Sequence, residues 1–421
     1  MSPSSPHVAV VGAGPAGLMA AEVLARGGAG VTLYDRMPSA GRKFLLAGRG
    51  GLNLTHSEEL ERLLDRYGAA KARLRAAIEA FPPAELRAWC QRLGQDTFVG
   101  SSGRVFPKAL KTSPLLRAWL QRLDGLGVAL KPRQLWTGWD HDGALAFAGP
   151  QGPVSVHADA AVLALGGASW PRLGSDGGWV EVMRGAGIEV TPLAPANCGF
   201  IAPWSDVFRR RFEGAPLKRI ALSFAGARSR GEAIITRDGL EGGAVYGLSA
   251  PLREAIAACG EAIVSIDLRP DLAVTALAQR LGAPRGKQSL ATFLRKTLAL
   301  APAAIGLLQE AAAGQPLRLS AMPPALLAAL IKAVSMRLTD TAPLAGAIST
   351  VGGIAFSEID ERFMLRGRPG VFVAGEMLDW EAPTGGYLLQ AAFATGAAAA
   401  RGVLAWLGDR PGPGATAASQ R

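Results

Sequence analysis

The sequence predicts an α/β protein, a doubly wound Rossmann-type domain that is interrupted by an insertion and resumes near the end of the chain. Three observations carry this expectation. A glycine-rich turn joins an apolar strand to a helix at the start; the apolar run Ala160–Leu165 ends in Gly166-Gly167; and a second run, Gly370–Ala374, ends in Gly375-Glu376. Apolar runs without alternation mark strands buried on both faces of a parallel sheet.

The opening segment reads as strand His7–Val11, turn, helix Pro15–Arg26 and strand Gly30–Asp35, a βαβ unit. From Glu58 to Leu123 apolar residues fall at helical spacing, broken at Pro82-Pro83 and by an extended piece around Phe98–Phe106. Leu135–Trp139, Ala144–Phe147 and Val154–His157 read as short antiparallel strands. Past Val190, Pro192 and Pro195 punctuate a change of style. Alternating strands are expected at Arg219–Phe224, Glu232–Thr236 and Ala262–Leu268, then alanine- and leucine-rich helices over Asp271–Leu338. A strand at Ala347–Phe356 with Gly352-Gly353 returns to the opening style, and a long helix runs to about Trp406. The expected division is therefore 1–193 with 346–407 as one discontinuous domain, 194–345 as the insertion, and 408–421 as a disordered tail.

At 421 residues the chain is long enough for two domains and for an enzyme. With 49% hydrophobic and 19% charged residues it is a compact globular protein, and its 53 glycines lack the collagen period, so they serve turns and close backbone approach. Cys90, Cys198 and Cys259 stand far apart, which excludes a disulfide framework and a zinc-ligand spacing; His7, His56, His141 and His157 are equally scattered, so no metal site is expected. Net charge is +11, but only nine of the 45 basic residues are lysine and the arginines are spread along the chain. The basic stretches Arg104–Arg133 and Arg209–Arg237 suit solvated faces or phosphate-bearing small molecules better than a nucleic-acid partner. The N-terminus has no basic n-region or cleavage site, and the uncharged stretch Ala382–Ala400 contains Pro383, three glycines and Gln390. A cytoplasmic protein without a membrane partner is expected; oligomeric state is left open.

Gly12-Ala13-Gly14-Pro15-Ala16-Gly17 stands between strand and helix, as a dinucleotide-binding loop must. Gly12 makes the turn, Gly14 admits a pyrophosphate, and Gly17 lets the helix close on the strand, while the helix start offers amides to the phosphates. Asp35, 18 residues past Gly17 and followed by Arg36, ends the second strand where a carboxylate accepts ribose hydroxyls.

Gly41-Arg42-Lys43 and the loop Gly48-Arg49-Gly50-Gly51, with Asn53 beyond, point to a flavin dinucleotide. A flavin site extends the chain after the acidic residue back along the cofactor. Near the other end, Gly375-Glu376 can place a carboxylate on ribityl hydroxyls. Asp379, Gly385-Gly386-Tyr387 and Gln390 then open a helix whose N-terminus faces the flavin pyrimidine, where charge accumulates on reduction.

GAGPAG, the GRKxLLxGxGxxNLT-like stretch from Gly41 to Thr55, Ala164–Gly178, and VGGI…EI…GVFVAGEMLDWEAPTGGYLLQAAFATG together resemble the BaiN-like bacterial flavoproteins over nearly the whole chain. The resemblance implies FAD in a discontinuous Rossmann-type domain of the two-dinucleotide-binding-domain kind, with an inserted β-barrel-like and helical domain over the flavin. Most of that family lacks an assigned substrate, and some members are linked to reduction of unsaturated bile-acid ketones. The chain departs from the family pattern at Gly51-Leu52-Asn53-Leu54-Thr55-His56, where relatives read GRCNxTN, and at Thr236–Gly243, where they read THxGLSGP. These departures make a substrate carried over from the family unsafe.

The leading expectation is an FAD-dependent oxidoreductase working at flavin N5 on a small molecule held between flavin and insertion. No catalytic acid or base is assigned. No second GxGxxG follows a strand, so NAD(P)H, if it is the donor, binds transiently. A tRNA-modifying flavoprotein would want a reactive cysteine near the flavin and a continuous basic face; a flavin-binding protein without turnover is a third class.

Overall fold

Five parallel strands, in the order Val371–Val373, Ala160–Leu163, His7–Val11, Gly30–Asp35 and Ala129–Pro132, form the central sheet of a computed structural model that describes residues 5–409 apart from 49 and 314–316. In its middle strand Val8, Ala9 and Val10 stand in register with Ala160, Ala161 and Val162 on one side and with Val31, Thr32 and Leu33 on the other. All three are fully buried, which accounts for the absence of polar alternation. Because neighbouring strands are parallel, the glycines that follow three of them, Gly12, Gly166 and Gly375, leave the sheet at the same edge. That carboxyl edge is where open α/β sheets bind ligands.

Gly14 is the N-cap of helix Pro15–Arg26, and Pro15 occupies its first turn, where the missing N–H costs nothing. This helix packs against the closing helix, Tyr387–Gly408. Their backbones approach so closely that a Cβ on Gly396 would lie 2.3 Å from the Ala16 carbonyl oxygen. The closing helix is long and apolar enough to cross a bilayer, but 61% of its apolar window is buried in the core. Residues 410–421, most of the expected tail, lie outside the described residues; Gly408 itself is helical.

Glu22 ties two further helices to this layer. It is 3% exposed, and Oε2 accepts from the indoles of Trp89 at 3.0 Å and Trp119 at 2.8 Å, while Oε1 accepts from Arg26 and Arg122 at 3.1 Å. A carboxylate this deep is tolerated because each oxygen is bonded and the charge is matched. Leu135–Trp139, Leu145–Gly149 and Gly152–Val156 form an antiparallel flank, and Thr55–His56, Arg104–Pro107 and Thr97–Val99 another.

By packing, the chain divides into two units, Met1–Ala194 with Ser349–Arg421, and Pro195–Ile348. The second unit has its own core around a seven-stranded antiparallel sheet. Its order is Val334–Leu338, Ala262–Asp267, Pro216–Phe224, Ala227–Ile235, Gly239–Glu241, Phe200–Ile201 and Asp340–Thr341. The two edge strands are joined by Thr339 alone, so the sheet curls toward a barrel, and four helices between Val274 and Lys332 pack with it. One expectation fails here: Asp271–Leu338 is not helical throughout. Val334, Met336 and Leu338 point inward and Ser335 and Arg337 outward, a period of two that pairs with Ala262–Asp267.

Candidate cofactor-binding site

The glycine loop separates its three glycines by role. Gly12 has φ +102°, and a Cβ there would stand 2.2 Å from the Ala164 carbonyl oxygen; a Cβ on Gly17 would stand 1.8 Å from that of Gly12. Both positions are closed by backbone. At Gly14 a Cβ would meet nothing within 4 Å, so this glycine leaves open space at the start of a helix whose first amides have no intrahelical acceptor.

Asp35 holds this loop. Its Oδ2 accepts from the Ala13 amide and its Oδ1 from the Met37 amide, both at 2.7 Å. Burial raises its pKa above the ordinary carboxylate value, against the pull of those two amides and of Arg36 and Arg42. The carboxylate expected on a ribose therefore also clamps the Gly12–Gly17 loop to the end of the second strand. Arg36 turns instead to Asp176, at 2.5 Å.

Lys43 joins the two ends of the chain. From the helix Arg42–Ala47 its Nζ donates to Ser169 Oγ at 2.6 Å and to both oxygens of Glu376 at 3.1 and 2.8 Å. Glu376 also accepts from the amides of Thr350 at 3.0 Å and Gly167 at 3.4 Å. Gly166 and Gly167 are thus packed beside this ion pair, and Gly375, φ +80°, fits against Ala16. Ser169 and Thr350 are candidate site residues that sequence reasoning missed; Ser169 follows Gly166-Gly167 in a loop, and Thr350 lies near the start of strand Ser349–Ile354, two residues before Gly352-Gly353.

Among the described residues, the buried polar atoms without a hydrogen-bond partner include Arg42 Nε, Asn53 Oδ1 and Ser175 Oγ around these loops, and Thr112 Oγ1 against Gly48. Ser175 Oγ lies 3.6 Å from where a Gly166 Cβ would stand. A donor, an acceptor and a hydroxyl buried unpaired each cost free energy that a polar ligand would recover. They fit a dinucleotide, which carries phosphate, hydroxyl and ring groups of both kinds. Gly48 is tight against Thr112, 2.1 Å from a Cβ to Thr112 Oγ1, whereas Gly50 faces open space.

The C-terminal residues divide differently from expectation. Gly386, φ +97°, is the N-cap of the closing helix, and a Cβ there would lie 2.5 Å from the Thr55 backbone; Gly385 has φ +142°. Gln390 turns into the core: it is fully buried, accepts from Thr55 Oγ1 at 2.8 Å and donates to the Phe81 carbonyl at 2.6 Å. Both ends of its amide are engaged, so its role is to fix the Thr55 strand under the helix start. Tyr387 donates its hydroxyl to Glu58 at 2.5 Å and stacks on His56, with ring centroids 5.4 Å apart. Burial, then the bond to Glu58, holds that phenol above its ordinary pKa. Arg66 grips the same carboxylate at 3.1 and 2.7 Å. Asp379 accepts from Thr191 Oγ1 at 2.7 Å.

The family described as HI0933-like protein Rossmann domain matches residues 6–402. The 3-dehydro-bile acid delta(4,6)-reductase of Clostridium scindens is 26% identical over 413 residues, covering 94% of this chain and 98% of that protein. Among solved structures, the fold is similar to 3-ketosteroid delta1-dehydrogenase from Sterolibacterium denitrificans, with a TM-score of 0.51 at 12% identity, covering 95% of this chain and 100% of that one.

Proposed function

The chain belongs to the HI0933-like family with its Rossmann domain, and from that premise we propose that it is an FAD-dependent oxidoreductase acting on a small molecule. The observation that carries this reading is the open space at Gly14 together with the unpartnered Arg42 Nε, Asn53 Oδ1 and Ser175 Oγ. The helix start after Gly14 and Arg42 would hold the pyrophosphate, Asp35 the adenosine ribose, and Glu376 the ribityl chain. When bound, FAD supplies two-electron exchange with substrate at N5.

This chain's own contribution is binding and electrostatics. Asp35 fixes the phosphate loop before the ligand arrives. Lys43 and Glu376 hold the Gly167 loop to the Gly375 turn. The helix beginning at Tyr387 would lend its positive end to a bound flavin, where it would favour the negative charge of the reduced form. We assign cofactor binding to 1–193 with 346–407, and substrate contacts to 194–345. NAD(P)H serves as a transient donor in this scheme. A relative that is a bile-acid reductase makes an unsaturated 3-keto bile acid the first oxidant to test.

The RNA-modifying alternative, which wants a reactive cysteine near the flavin, is disfavoured by Cys90, the one cysteine of the proposed cofactor-binding unit. Burial pushes the Cys90 thiol up to about 12, and a thiol that stays protonated is a poor nucleophile. The deciding experiment is extraction of the bound cofactor, followed by anaerobic stopped-flow reduction with NADH and NADPH and reoxidation by a panel of unsaturated ketones. Released FAD with substrate-dependent reoxidation is expected. Protein that stays colourless through an FAD titration overturns the reading, and FAD that no donor or acceptor turns over reduces it to a binding protein.

A further inference from the structure

Cations in the second unit are partnered unequally. Arg228 and Lys332 reach Asp267 at 3.3 and 2.7 Å, Arg337 reaches Glu261 at 2.6 Å, and Arg209 and Arg230 pair with Asp206 and Asp271. Among the described residues Lys218, Arg219 and Arg269 form no ion pair, and all three line one cavity of about 240 Å³ whose wall contains no carboxylate.

The backbone accounts for this gathering. Strand Pro216–Phe224 slips register against Ala227–Ile235 between Leu217 and Ile220, so Lys218 and Arg219 fall outside the ladder. Arg219 sits at φ +53°, a conformation that favours glycine. Arg269 donates to the carbonyls of Leu268 at 2.8 Å, Leu298 at 2.7 Å and Ala299. Three of its five N–H groups donate to neutral carbonyls, and its charge meets no carboxylate among the described residues; burial, and then the nearby Arg219, press its pKa downward. Ala301 and Ala304, at the start of helix Pro302–Ala311, line the same cavity, and the alanine N-cap offers the first amides no side-chain acceptor.

We propose that this cavity binds a phosphate-class anion, held by Arg219 and Lys218 against Arg269 and the helix start. The donors converge from three elements, which suits a tetrahedral group with oxygens on several faces better than a planar carboxylate. Like charges held together without an anion repel, and an anion converts that repulsion into attraction. The inference is independent of the FAD reading, since every residue lies in the second unit.

The test is titration calorimetry of the full-length protein with excess FAD at constant ionic strength in chloride, using orthophosphate, pyrophosphate and ADP as probes, for wild type, Arg219→Gly and Lys218→Ala. Arg219→Gly removes the charge and relieves the positive φ, so the fold survives and its melting temperature without phosphate is equal or higher. Phosphate affinity is expected to fall at least tenfold in both variants. Binding of ADP without orthophosphate would assign a nucleotide phosphate, and binding of both a free phosphate. No binding by wild type, or equal affinity in a folded Arg219→Gly variant, overturns the proposal.

Discussion

Lys43 Nζ lies 2.8 Å from Glu376 Oε2, across 333 residues of chain, and the pair shares its neighbourhood with the Gly167 amide. Side chains 26% and 20% exposed place this ion pair well inside the loops, where a charge-assisted hydrogen bond contributes about 1.5–3 kcal/mol. Glu376→Ala is expected to weaken FAD binding roughly ten- to a hundredfold. Lys43→Met added to it should cost less than the two changes summed, because each partner is already stranded by loss of the other. Fluorescence titration of the single and double variants checks this, and strict additivity would show that the two act separately.

The glycine loop separates folding from binding. Gly17→Ala drives a Cβ into the Gly12 carbonyl and should leave little folded protein. Gly14→Ala meets no protein atom within 4 Å, so its cofactor-free melting curve should match wild type while FAD affinity falls. A Gly14→Ala protein that binds FAD normally would remove the pyrophosphate from this loop.

Asp35→Ala is expected to lose both roles of the carboxylate. The Ala13 and Met37 amides lose their acceptor, so the cofactor-free protein should melt lower, and FAD affinity should drop about tenfold or more. A lowered melting temperature with an unchanged dissociation constant would confine Asp35 to the loop.

Burial alone would raise the Glu58 carboxyl, but hydrogen bonds from Arg66 and Tyr387 outweigh it and hold it below the ordinary value. The folded state therefore takes up this proton less readily than the unfolded chain. Its contribution to stability is complete above the usual carboxylate pKa, about 4.3, and is lost as pH falls below that toward the folded value. Urea unfolding of wild type and Glu58→Gln across the acid range should show a shallower acid limb in the variant.

Among the cysteines, Cys259 is exposed while Cys90 and Cys198 are buried. A thiol-specific reagent should label one thiol in the native protein and three after denaturation. Rapid labelling of Cys90 in folded protein would contradict its burial.

The sheet and its glycine turns were legible in the sequence because each turn states its own local requirement: an apolar run, then a residue able to take positive φ or admit backbone contact. Side-chain direction was not legible in the same way. Gln390 and Tyr387 stand where a cofactor shell was expected, yet they turn toward Phe81, Thr55 and Glu58, which belong to other elements far away in sequence. Lys43 reads in the sequence only as part of a cofactor loop, because nothing local names Glu376 as its partner. The strand Val334–Leu338 was hidden by the alanine- and leucine-rich helices that precede it, although its own alternation was present.

The position of Val371–Val373 beside Ala160–Leu163 also sets an order of events during synthesis. The whole inserted unit emerges from the ribosome between these two neighbours, so it can collapse about its own core while Ala160–Leu163 still waits as an open edge. A prematurely terminated chain would keep the first glycine loop but lack Glu376, leaving Lys43 without its partner. Completion of the sheet thus reports that the ribosome has passed Val373, and a cell could discard copies that stop short of it by the exposed strand they carry.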